Sequence, residues 1–176
     1  MASTPDVLVA ERGIVVPKTP AQLFFDFAFP AYGKCLSHNP DKRAVLELRY
    51  LSGDPPNMPE LERLFPVGIL SLKHCAGDPR MPLEDITLEH VVNYLLHGHN
   101  EMIKSGKMQF HHTGSQEKEA CKVREAEVVQ KVFHSPELLV KYEDNTGGIV
   151  KSYRTPNASQ GNRVYVHRDY TLVIPE

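Results

Sequence analysis

AEVVQKVFHSPELLVKYEDNTGGIVKSYR, residues 126–154, holds the pattern on which the fold class turns. Two turn-forming clusters, His134-Ser-Pro-Glu and Asp144-Asn-Thr-Gly-Gly, divide it into three runs rich in Val, Leu, Ile and Tyr. Clusters of hairpin length make runs that are neighbours in sequence into antiparallel neighbours in space. The spacing predicts strands over 126–134, 138–143 and 148–154. A fourth is expected over 163–174, after the loop TPNASQGN at 155–162, with pairing ended by Pro175. The expected product is a curved antiparallel sheet, a C-terminal β-meander. Its apolar face needs a cover, and the N-terminal half offers helical pieces. The fold class expected is therefore α+β, a sheet covered on one face by helices in a cone- or roll-like arrangement.

Upstream, Pro17, Pro20 and Pro30 bracket AQLFFDFAF, in which Phe24, Phe25, Phe27 and Phe29 surround a single acid, Asp26. Rings at that density belong to a core or to an interface. KRAVLELRYL, residues 42–51, alternates Val45/Glu47/Arg49 against Leu46/Leu48/Tyr50, which predicts a half-buried strand by the period-two rule. GDPPNMP ends it, because clustered Pro and Gly deny ladder hydrogen bonds. PELERLF reads as a short helix and GDPRMP, after Cys75, as a loop.

The central helix carries HGHNE, residues 97–101, whose paired histidines suggest a metal clamp. Two residues apart, they aim at one point in a strand but diverge by about 200° in a helix, so local conformation decides the chemistry. Thr87 is a good N-cap, Glu89 suits the first turn, and Leu88, Val91, Val92, Leu95, Met102 and Ile103 repeat at helical spacing on both sides of Gly98. Gly98 as a left-handed stop is the competing reading. Glycine inside a helix costs roughly 1 kcal/mol relative to Ala, whereas burying Met102 and Ile103 is worth about 1.5–3 kcal/mol each. An unbroken helix over 88–105 is therefore expected, closed by Gly106. His99 then lies on the covered face, with His90, His97 and Glu101 on the other.

A chain of 176 residues, 41% apolar and 24% charged, fits one domain over 1–176 with a sizeable core. Its 20 basic and 22 acidic residues interleave, so no positive face is evident for nucleic acid. The sequence shows neither a secretory leader nor an apolar run of membrane-spanning length, and a soluble cytoplasmic protein is expected. A homo-oligomer is compatible with this composition. Cys35, Cys75 and Cys121 are far apart and never in a CxxC spacing, which favours reduced, mostly buried thiols over a disulfide framework or zinc knuckle. No phosphate-binding loop is present, so no organic cofactor is expected.

Candidate site residues follow from titratable groups on apolar faces. His99 is the first: burial would keep it neutral and able to exchange a proton, and the alternative is a core histidine whose ring nitrogens are met by backbone or tyrosine groups. In KMQFHHT, residues 107–113, His112 shares a face with Met108 and Phe110, while His111 faces water. In RVYVHRDYTLV, Tyr165 and His167 share a face opposite Val164 and Val166. Asp26 either faces solvent or sits among the phenylalanines as an acid of raised pKa. Together these residues suggest a small-molecule enzyme of the dehydratase, isomerase or cyclase type. An apolar pocket would place His99 or His112 as general base, with Asp26 or Tyr165 assisting and neither metal nor cofactor required. Two alternatives compete with it. One is a non-catalytic assembly subunit docking through the Phe-rich segment, and the other a divalent-metal enzyme using His97, His99 and His111 or His112.

Overall fold

The structure is a computed structural model that describes residues 17–30, 40–106 and 120–175. Within these, the chain forms two compact units, a helical one spanning Pro17–Lys122 and a strand-built one from Val123 onward. The fold class is α+β. No helix among the described residues is long and apolar enough to cross a membrane.

The helical unit begins with α1, Pro20–Ala28. Thr19 and Gln22 form a reciprocal capping box at its start, each side chain accepting from the other's backbone N–H, and Pro20 occupies a first-turn position where no N–H is needed. Ala21, Leu23, Phe24, Phe25, Asp26, Phe27 and Ala28 are all buried, the signature of a helix enclosed on every side. Phe24 and Phe25 each meet Phe65 at 6.3 Å between ring centroids, and Phe24 meets Phe27 edge-on at 5.9 Å. Phe24, Phe25 and Phe27 are thus interior residues; of the four phenylalanines only Phe29 is partly exposed.

Residues 42–51 form no strand. They lie in α2, Pro40–Leu51. Lys, Arg, Ala, Leu and Glu, all strong helix formers, dominate the segment, Asp41 complements the dipole in the first turn and Arg49 in the last. Among its described side chains only Leu46 is fully buried, while Val45 and Leu48 are 56% and 54% exposed. With so little of the helix covered, the apolar residues were free to fall in a pattern that mimics strand alternation.

Next come α3, Met58–Leu64, the short helix expected at PELERLF, and α4, Pro66–Cys75. Asn57 and Glu60 repeat the capping-box device at the start of α3. After the loop at 76–82, α5 covers Leu88–Asn93 and α6 His99–Ser105, joined without interruption by a wide π turn, Tyr94–Gly98. Gly98 is right-handed helical, with φ −62° and ψ −45°, so the chain coils through it; Gly106, at φ 66°, is the left-handed cap. Thr87 caps the start as expected, and His90 completes the box by accepting from the Thr87 N–H through Nδ1.

In the second unit, β1 is Arg124–Lys131, β2 Glu137–Tyr142, β3 Gly147–Lys151, β4 Arg163–His167 and β5 Tyr170–Leu172. The first three strands are the expected meander, each antiparallel to the next. The expected fourth strand is instead two, reversed at Arg168–Asp169, whose φ angles of 47° and 64° are those of a tight hairpin turn. That reversal lets β4 pair with β1 and carries β5 to β3, where Lys151 and Tyr170 meet in parallel. The curved sheet therefore closes into a barrel of order β1-β2-β3-β5-β4, antiparallel except where β3 meets β5. Alternate residues Ala126, Val128, Leu138, Val140, Val150, Val164 and Val166 fill its interior, and Ala158 enters from the loop before β4.

Candidate functional site

Within the helical unit, chemistry-bearing side chains gather around His99, which is 2% exposed. Its position depends on the π turn. Residues five apart in a regular helix point about 140° away from each other. Here the backbone N–H of His99 reaches the Tyr94 carbonyl, five residues back, and the extra residue in the turn brings the two side chains together. The Tyr94 hydroxyl lies 3.0 Å from His99 Nδ1, and the Cys121 carbonyl oxygen 2.9 Å from Nε2. A carbonyl only accepts, so Nε2 carries the proton and Nδ1 accepts from the tyrosine O–H. The ring is thereby held in one tautomer and one orientation. Phe27 closes on it edge-first at 4.9 Å, and the Cys121 Sγ lies 3.7 Å from Nε2.

Gly98 has a reason that the sequence did not reveal. A Cβ there would stand 2.6 Å from the Cys75 Sγ and 3.0 Å from its Cβ, so α4 and the π turn approach as closely as they do because position 98 has no side chain. Cys75 is exposed, unlike the buried Cys121, so the expectation of buried thiols holds for only one of these two; its thiol touches the Met102 sulfur, and desolvation on that side pushes its pKa above the usual thiol range.

The other expected site residues belong to other elements. Asp26 does not face solvent: it is 3% exposed on α1, with the Tyr50 hydroxyl 3.5 Å from Oδ2. His97 is exposed while His99 is buried, so the two diverge as a helix requires and do not clasp one ion. Tyr165 belongs to the barrel unit, half-buried on the outward face of β4, opposite Glu125 on β1 and Leu172 on β5. His111 and His112 lie outside the described residues.

A separate cleft of about 410 Å³ opens on the helical unit between α2 and α3. Val45, Leu46 and Leu64 form its apolar wall, with Lys42, Arg49, Arg63, Asp41 and Glu60 around them. Arg49 donates from Nε to Asp54 and from Nη1 to Glu60, and these hydrogen bonds hold both carboxyls below the usual carboxylate range. They raise the guanidinium's own pKa further, so it is charged throughout. Around the Arg49–Glu60 pair the rim also carries Lys42, Arg63 and Asp41. No sequence signal marked this cleft, because its walls come from a segment whose alternation reads as strand.

Comparison of the chain with family models, with curated proteins and with solved structures returns no match.

Proposed function

We propose that the protein binds a small amphipathic anion, an apolar body carrying a carboxylate or similar group, in the cleft between α2 and α3. The observation that carries this reading is the cleft itself. Its volume falls within the ~300–1,000 Å³ typical of small-molecule sites, and its wall joins apolar side chains to a rim that carries the exposed Arg63. The apolar body would cover Val45 and Leu64, and the anionic group would meet Arg63. Small-molecule recognition, expected from the sequence around His99, is thus assigned to a different surface. A proton-transfer role for His99 would first require its ring to leave Tyr94 or the Cys121 carbonyl, since both nitrogens are engaged by the chain.

Calorimetric titration with octanoate tests the assignment. Saturable binding is expected, weakened at least ~10-fold, or about 1.4 kcal/mol, by Val45→Asp and by Arg63→Glu. Both positions are exposed, so neither substitution threatens the core. An absence of binding at millimolar octanoate, or affinity unchanged in both variants, overturns it.

A further inference from the structure

The buried pair next to the π turn has a geometry that the cleft does not use. His99 Nε2 and Cys121 Sγ are 3.7 Å apart, and both residues are 2% exposed. Two ligands on a tetrahedral zinc ion, with Zn–S about 2.3 Å and Zn–N about 2.0–2.1 Å, stand about 3.6 Å from each other. We propose that His99 and Cys121 are two ligands of a site for a thiophilic divalent metal, zinc being the ion that this nitrogen and sulfur set suits best.

Three further features of the site agree with this. Tyr94 holds Nδ1 at 3.0 Å, the position from which an outer group orients a metal-bound imidazole. The proton count closes. On metal binding the imidazole proton moves from Nε2 to Nδ1, which donates it in a hydrogen bond to the tyrosine oxygen; the tyrosine O–H turns away, and the Cys121 carbonyl gives up its place at Nε2 to the ion. The ring stays neutral, and the thiol releases one proton as it becomes a thiolate ligand. Phe27, edge-on at 4.9 Å, supplies the apolar surroundings that exclude water from the ring. The two side chains fill two coordination positions, and the remaining ones take other donors. The competing account is a core histidine satisfied by Tyr94 and a backbone carbonyl, with Cys121 as an apolar filler, and it requires no ion.

Cobalt separates the two. The chain has three cysteines, so in the full-length Cys35→Ser/Cys75→Ser variant Cys121 is the sole thiol. Under reducing conditions, that variant is expected to take up about one cobalt per chain and to show an intense near-ultraviolet thiolate-to-cobalt charge-transfer band. Adding His99→Gln should weaken uptake at least ~100-fold, the loss of one inner ligand exceeding the 10–100-fold typical of an outer partner. Tag-free wild-type protein should likewise carry about one zinc per chain by elemental analysis. Absence of the charge-transfer band with cobalt in excess, or uptake unchanged by His99→Gln, overturns the proposal. The single-thiol variant retains both proposed ligands, so the answer does not depend on a Cys121 substitution that fails to fold.

Discussion

The helical unit and the barrel bury their interiors by different means. In the helical unit a few large rings, Phe24, Phe25, Phe65 and Tyr94, are fully buried and meet one another or their neighbours edge to face. In the barrel the interior is filled by Ala, Val and Leu, one from every second position, while the closed ladder fixes the backbone. Stability in the first unit is therefore concentrated in single side chains, and in the second it is spread over many. Phe24→Ala should cost about 3–5 kcal/mol, by lost burial and the cavity left behind. Val140→Ala, at an equally buried barrel position, should cost only about 2 kcal/mol. Urea unfolding followed by circular dichroism, read in the transition that unfolds the affected unit, measures both. Equal losses would erase the contrast.

A sharper test of concentration within the helical unit lies at the π turn. Replacing Gly98 by Ala gains roughly 1 kcal/mol in helix propensity but forces a methyl against the Cys75 sulfur, and overpacking of this kind typically costs 1–3 kcal/mol. The balance is a net loss of up to about 2 kcal/mol. Cys75→Gly removes both atoms that the new methyl would strike, so in that background Gly98→Ala should become neutral or stabilising. A loss of the same size in both backgrounds would show that something other than the Cys75 contact keeps position 98 bare.

The same contrast explains which parts of the fold were legible in sequence. β1 to β3 were readable because hairpin turns are chemically marked, at Asp144-Asn-Thr-Gly-Gly above all, and because alternation with one buried face is unambiguous. Closure of the barrel was not, since it depends on Arg168 and Asp169 adopting positive φ inside what reads as one continuous strand. In the helical unit, the Thr87 cap, the apolar stripe that stays in phase across Gly98 to Met102 and Ile103, and Gly106 as the stop predicted an unbroken helix with His99 inward. α2 failed, because a helix with one fully buried side chain carries almost no periodic signal and propensity alone had to decide. For the candidate site, the inward turn of His99 was legible. Its partners were not, since Tyr94 reaches it only through the extra residue of a π turn, and Cys121 arrives from 22 residues further along the chain.

The smallest expected effects come from surface carboxylates, where the two units should behave alike. Glu60 is held down by its hydrogen bond from Arg49 on the helical unit, and Asp144 on the barrel by hydrogen bonds from the Thr146 side chain and backbone. In each case the folded carboxyl has a pKa below its unfolded value. Each therefore contributes stability above the ordinary carboxylate range, and that contribution is lost as pH falls through the depressed value. Glu60→Gln and Asp144→Asn should each flatten the acid limb of the melting temperature below about pH 4, leave the neutral-to-alkaline limb unchanged, and lower stability at pH 7 only slightly. The comparison turns on which transition responds. Glu60→Gln should move the helical one and Asp144→Asn the barrel one, because each pair is local to its unit: Arg49 and Glu60 join α2 to α3, and Asp144 and Thr146 close the β2–β3 turn. If either substitution shifts both transitions equally, the units do not unfold independently, and the contrast between concentrated and distributed stability must be measured on the chain as one cooperative body.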